Sequence, residues 1–344
     1  MNPLIPLLAS SSPCLRCRVL RELTRPDPED PELQELEKLR GGDPLLLEIL
    51  NVQNDDGSFS PADPARQAWG DPVLITAHLL TRLSLLGFGP EFEPAQRGAE
   101  FIFSRQRKDG SWPLGRKAGA ADERGAYSTV PLQTALPLAG IAAAGFAQDP
   151  RAEKGYEWLL AQRLPEGAWP TGMAKGDYGR VAGYRRLPHT RHGCRSNTTG
   201  AVICFSLHPE RRTSEPVRKG LDHLLGRETR DRGFLGFETA RLLGYEPLGG
   251  FIAHFARFDP ALILTLCART GLVPEDARLR SLIDFIRTAE GSGGLWSYAS
   301  APGAEPWIAL EIRSALQALE AGGSWIGEQP VTPFSPYPRK RRRW

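Results

Sequence analysis

Two aspartates in this 344-residue chain stand where an acid could do work. Asp71 and Asp259 each precede a proline at the start of a strongly apolar segment. An acid so placed has two uses. It can cap the first backbone N–H groups of a helix, a role for which Asp before Pro is favoured. If the apolar segment walls a dry cavity, the same carboxyl can instead hold its proton and deliver it. Asp259 has the richer surroundings, because it ends the stretch Phe251-Ile252-Ala253-His254-Phe255-Ala256-Arg257-Phe258. His254 is a second acid–base candidate there. Phe255, Phe258 and Arg257 are candidates for a cavity lining in which rings stabilise a cation. Ordinary packing of this stretch is the competing reading.

A second grouping is basic. Between Lys175 and Arg195 lie Lys175, Arg180, Arg185, Arg186, Arg191 and Arg195, with Asp177 as the sole acid. Arginine forks suit phosphate oxygens. Arg185, Arg186 and Arg191 therefore form a candidate lip for a diphosphate or another anionic head group. The alternative is a solvated insertion. Cys194 follows His189 and His192 and precedes Cys204 and His208. These are zinc-ligand types, but the spacing lacks a paired ligand motif. Cys14 and Cys17 do have ligand spacing, yet they fit the apolar stripe of a helix. No cofactor is expected, with zinc at Cys194 as the open alternative. No phosphate loop, dinucleotide fingerprint or Ser-His-Asp signature occurs.

Bulk properties exclude several classes. A formal charge of +3 is small for this size and does not argue for a nucleic-acid binder. Five scattered cysteines form no disulfide framework, so a reducing, cytoplasmic setting is expected. The first residues lack a basic n-region and are broken by Pro6, so they do not read as a signal peptide. Val130 to Ala147 is apolar on every side but carries Gln133, Thr134 and two prolines, which fits a helix buried in protein. From residue 326 the chain turns Pro-rich and ends Arg339-Lys340-Arg341-Arg342-Arg343-Trp344. This is a solvated tail or a tether to a membrane surface or nucleic acid.

An internal repeat must position these residues. Gln53-Asn54-Asp55-Asp56-Gly57-Ser58-Phe59 recurs as Gln106-Arg107-Lys108-Asp109-Gly110-Ser111-Trp112 and as Gln162 to Trp169. The glycines are 53 and 57 residues apart, and weaker copies end at Phe234 and Trp296. Each copy follows an amphipathic helix and precedes a more apolar one. The outer helices are expected at 31–53, 92–107, 151–163, 213–228 and 274–290. The inner ones are expected at 71–87, 127–146, 197–207, 259–271 and 306–320, with 12–23 as a sixth. Trp307 starts the last inner segment and is a further cavity-wall candidate. One hairpin cannot bury its apolar face, so neighbours must stack. The result is an all-α chain, a single α/α-toroid of about five to six helical hairpins over 1–325, followed by the tail 326–344.

The repeat resembles the QW motif of squalene–hopene and oxidosqualene cyclases. Residues 97–112 and 154–169 match in full, and 47–59 and 291–296 in part. The resemblance implies the α/α-barrel shared with protein prenyltransferase β-subunits. It also implies an isoprenoid or other apolar substrate in a central cavity, and an enzyme of the cyclase, mutase or transferase kind. Cyclases carry Asp-x-Asp-Asp-Thr-Ala at the start of an inner helix. Here the matching place reads Asp71-Pro72-Val73-Leu74-Ile75-Thr76-Ala77, with Leu74 and Ile75 where carboxylates belong. The alternatives are a toroid that binds without catalysis and a zinc-dependent transferase or cyclase.

Overall fold

Aspartate and proline mark where the helices begin. Asp30, Asp43, Asp71, Asp149, Asp259 and Asp276 each accept the backbone N–H two residues on, and in all but the last a proline follows directly. The cap fills an otherwise orphaned donor, and proline gives up an N–H that the first turn does not use. The computed structural model describes residues 3–24, 26–27, 29–60, 71–112, 130–170, 193–228, 230–246, 259–291 and 293–334.

Along the chain run α1 (Ile5–Leu8), α2 (Pro13–Val19), α3 (Pro31–Leu39), α4 (Pro44–Leu50), α5 (Pro72–Leu85), α6 (Glu93–Ser104) and α7 (Pro131–Ile141). They are followed by α8 (Pro150–Ala161), α9 (Arg195–Ser206), α10 (Glu215–Leu224), α11 (Phe237–Leu242), α12 (Pro260–Thr270), α13 (Ala277–Thr288) and α14 (Glu305–Glu320). No β-strand occurs among the described residues, only isolated bridges.

The chain is an α/α-toroid. α5 packs on α7, α7 on α9, α9 on α12, and α12 on α14. The gap between α14 and α5 is closed at one end by α11, which touches both. At the other end Arg18, on α2, reaches Leu85 O of α5 and Glu311 of α14, both at 2.8 Å. Outside this ring α4, α6, α8, α10 and α13 lie against α5, α7, α9 and α12. No helix among the described residues is long and apolar enough to cross a membrane.

The repeat ties one hairpin to the next. Gln106 Nε2 donates to Gly110 O at 2.9 Å and to Arg151 O, at the start of the next outer helix, at 2.8 Å. Gln53 does the same to Gly57 O and Pro94 O. Gly110 has φ +91, and a Cβ there would stand 2.3 Å from Lys154 O. The position thus needs glycine for both its left-handed backbone and its close approach. The aromatic then folds inward. Indole N–H groups of Trp112, Trp169 and Trp296 donate to Ile102, Leu159 and Ile286 carbonyls at 2.7–2.8 Å. Backbone N–H groups of Phe59, Trp112 and Trp169 donate to the hydroxyls of Thr76, Thr134 and Thr198 on successive inner helices.

Several elements differ from expectation. The outer segment 31–53 is two helices, because Gly41-Gly42 and Pro44 interrupt it with a tight turn at Arg40–Gly42. The inner segment 127–146 is helical from Pro131 and ends in a wider turn, with Gly145 at φ 95. α11 falls where no helix was expected, since six residues are too few to show a period. Residues beyond 325 run on against the ring as far as 334. Gly327 N–H donates to Asp276, Glu328 N–H to Asp222, and Phe334 meets the His223 ring.

Candidate functional site

A cavity of about 260 Å³ opens inside the ring. Its wall is aliphatic, with Leu74, Ile75 and Ala77 from α5, Leu136 and Ala139 from α7, Ile203 from α9 and Leu262 from α12. No aromatic ring lines it among the described residues. Two polar groupings interrupt the wall. One holds Asp259, Glu238, Arg241 and His78, and the other Arg18, Arg269 and Glu311. Asp259 and Arg269 lie ten positions apart along α12, so the groupings are about 15 Å apart at the usual rise per residue.

Asp259 begins α12 and is fully spent on backbone. Its Oδ1 accepts from Gly236 N–H at 2.9 Å and Ala261 N–H at 2.8 Å, and its Oδ2 accepts from Glu238 N–H at 3.0 Å. It therefore caps α12 and also pins the start of α11. That start needs Gly236, which has φ +86 and would place a Cβ 2.5 Å from Ile308 of α14.

Pinning α11 turns Glu238 and Arg241 to the cavity. Arg241 Nε and Nη2 both approach Glu238 Oε2 at 2.8 Å. Arg241 Nη1 lies 3.0 Å from His78 Nδ1. Guanidinium can only donate, so Nδ1 accepts and the ring proton sits on Nε2. Glu238 Oε1 is buried and has no hydrogen-bond partner among the described residues.

Burial pushes the Asp259 carboxyl up to about 7, against three N–H donors that favour the ionised form. Repulsion from Glu238 adds to the rise. Burial likewise raises Glu238, against the Arg241 guanidinium that holds it down. Both carboxyls therefore hold a proton more readily than free acids do. Every Asp259 oxygen receives an N–H, whereas Glu238 Oε1 receives none. Glu238 thus lines the cavity with one carboxyl oxygen on Arg241 and the other buried and unmatched.

The expected site residues divide. Asp259 lines the cavity. Asp71 caps α5 through Val73 N–H at 2.9 Å and is not part of the lining. Trp307 is buried in the core, and α14 presents Glu311 to the cavity instead, four positions on. Cys194 precedes α9, and its backbone N–H donates to Trp169 O at 2.7 Å. His189 and His192 of the zinc reading lie outside the described residues, and Cys204 and His208 are engaged elsewhere. Cys204 is fully buried, and His208 accepts two backbone N–H groups on Nδ1 and meets Glu153 through Nε2 at 2.8 Å. No group of three or more metal-ligating side chains occurs among the described residues. His254, Phe255, Arg257 and Phe258 lie outside the described residues, as do Arg185, Arg186 and Arg191.

The residues missed from sequence are Glu238, Arg241, His78 and Arg269. Glu238 and Arg241 read as an ordinary surface pair one helical turn apart. The one available signal was Gly236 ahead of them, marking a sharp entry.

Paired helices closed into a ring define the α/α-toroid class. The relatives found by sequence are squalene–hopene cyclases. The chain is 29% identical over 128 residues to the squalene–hopene cyclase of Bradyrhizobium diazoefficiens, covering 35% of this chain and 19% of that protein. It is 26% identical over 147 residues to that of Zymomonas mobilis, covering 42% and 21%. The match thus spans about a fifth of either curated relative. No family model matches the chain. Among solved structures, the type II terpene cyclase MstE from Scytonema, in complex with merosterolic acid A, aligns over 80% of this chain and 94% of its own, with 15% identity and a TM-score of 0.33. A protein from Actinoplanes aligns with 13% identity and a TM-score of 0.30.

Proposed function

We propose that the cavity takes a short isoprenoid chain and that Glu238 protonates one of its alkenes, starting a cyclisation or isomerisation. The observation that carries this reading is the Glu238 carboxyl, buried in the cavity wall with Oε1 unmatched and Oε2 on Arg241. The volume lies just below the usual range of ligand pockets, roughly 300–1,000 Å³, which suits a short chain.

The step balances without oxidant or metal. The alkene π pair takes the proton from Oε1, leaving a carboxylate against Arg241 and a cation on the more substituted carbon. A second alkene of the same chain closes a carbon–carbon bond onto that cation. Loss of a proton to the waiting carboxylate restores the acid. In this scheme Asp259 is a positioning residue that holds α11, and His78 orients Arg241. Incubation with prenyl hydrocarbons and alcohols in heavy water tests the scheme by mass spectrometry. One deuterium per turnover, on a carbon of the former alkene, is expected. Absence of any deuterated or cyclised product across these substrates overturns it.

A second reading is a binding toroid without chemistry. The aliphatic wall favours it, since the described lining offers no ring to stabilise a travelling cation. Binding of a prenyl chain without deuterium uptake would select it.

A further inference from the structure

Three arginines line the cavity, and two of them are spent. Arg18 makes a fork to Glu22 at 2.6 and 3.0 Å and bonds Glu311 and Leu85 O at 2.8 Å. Arg241 serves Glu238 and His78. Arg269 makes no hydrogen bond or ion pair with any described residue. The acids whose charge acts on it, Glu311 and Glu22, are those that Arg18 already holds. Burial presses its pKa down, and Arg18 and Arg212 repel it further, while Glu311 and Glu22 offset part of this.

A cation in the last turn of α12 is favoured by the helix dipole. The dipole supplies no acceptor for the guanidinium's five donors, and the partly exposed Arg269 lines the cavity without a partner for them among the described residues. Arg269 also sits about 15 Å along α12 from the Asp259 end.

We propose that Arg269 receives an anionic oxygen head group, a carboxylate or phosphate, on the isoprenoid chain. The substrate class is then a prenyl acid or prenyl phosphate, with its alkene tail at Glu238 and its head at Arg269. This inference rests on the cavity reading above and narrows it. The pairing is bidentate where geometry permits, as guanidinium and carboxylate or phosphate oxygens prefer.

The test measures equilibrium binding of farnesoic acid, farnesyl monophosphate and farnesol to the full chain, its Arg269→Gln variant and its Arg269→Lys variant. Thermal unfolding confirms that each is folded. The native chain is expected to bind one or both anions about tenfold or more tightly than farnesol, the range of a charge-assisted hydrogen bond. Arg269→Gln should bring all three level while leaving farnesol unchanged, and Arg269→Lys should keep most of the preference. The stronger of the two anions identifies the head group. Farnesol binding as tightly as both anions to the native chain overturns the head-group role alone, as does an undiminished preference in Arg269→Gln. Should none of the three bind, the isoprenoid cavity itself fails with it.

Discussion

Replacing Glu238 by Gln separates an acid from an ion pair, because the two assignments differ in what the substitution costs. Take the protein at pH 6. If Glu238 carries a proton, glutamine is nearly isosteric with the acid already there. Its carbonyl still accepts from Arg241 Nε and Nη2, and an N–H₂ replaces the O–H at the Oε1 position. Stability should then change by about 1 kcal/mol or less. If Glu238 is ionised, the substitution strands Arg241, whose side chain is 11% exposed beside a 10% exposed partner. Removing one member of so buried a pair costs roughly 3–5 kcal/mol. Turnover gives the second readout. Loss of a general acid lowers the rate by about 10²–10⁴, or about 3–5 kcal/mol of barrier at 1.36 kcal/mol per decade. The assays are urea unfolding at pH 6 and initial rates of deuterium incorporation. A stability loss of the larger size, or a rate within tenfold of the native one, refutes the assignment of the proton to Glu238.

Other outcomes follow from the same structure. Glu238 must hold its proton to react, so the rate should be flat at low pH and fall about tenfold per unit once pH passes its raised pKa. A pH–rate profile rising from acid pH through neutrality contradicts this. For stability the sign is the same. The folded state keeps a proton on Asp259 that the unfolded chain releases near its ordinary pKa of about 4, so stability declines by about 1.4 kcal/mol per unit as pH rises from there to about 7. Asp259→Asn should flatten that slope in thermal unfolding measured against pH. It should also weaken the α11 anchor by about 1–3 kcal/mol, because an amide N–H₂ would face the Glu238 N–H. Gly110→Ala places a methyl 2.3 Å from Lys154 O at φ +91 and should cost well over about 1 kcal/mol. A neutral Gly110→Ala in urea unfolding would mean that the repeat turn does not hold the hairpins together.

The sequence by itself determined the ring. Gln53, Gln106, Gly57 and Gly110 recur because each turn must reach the next outer helix, and that demand repeats once per hairpin. The caps at Asp71 and Asp259 were equally legible, since capping is settled by the two or three residues that follow. Which side chains would meet inside the ring was not legible. Glu238 and Arg241 are one turn apart on a helix of six residues, and in isolation such a pair belongs at a surface. Only the two bonds from Gly236 and Glu238 to Asp259, across from α12, hold the start of α11 against the ring and bury the pair. Trp307 and Arg269 show the same limit. Both lie on inner helices, yet the rotation of each helix about its axis sends the tryptophan into the core and the arginine to the cavity. That rotation is fixed by packing between hairpins distant in sequence, a property of the closed ring rather than of any one segment.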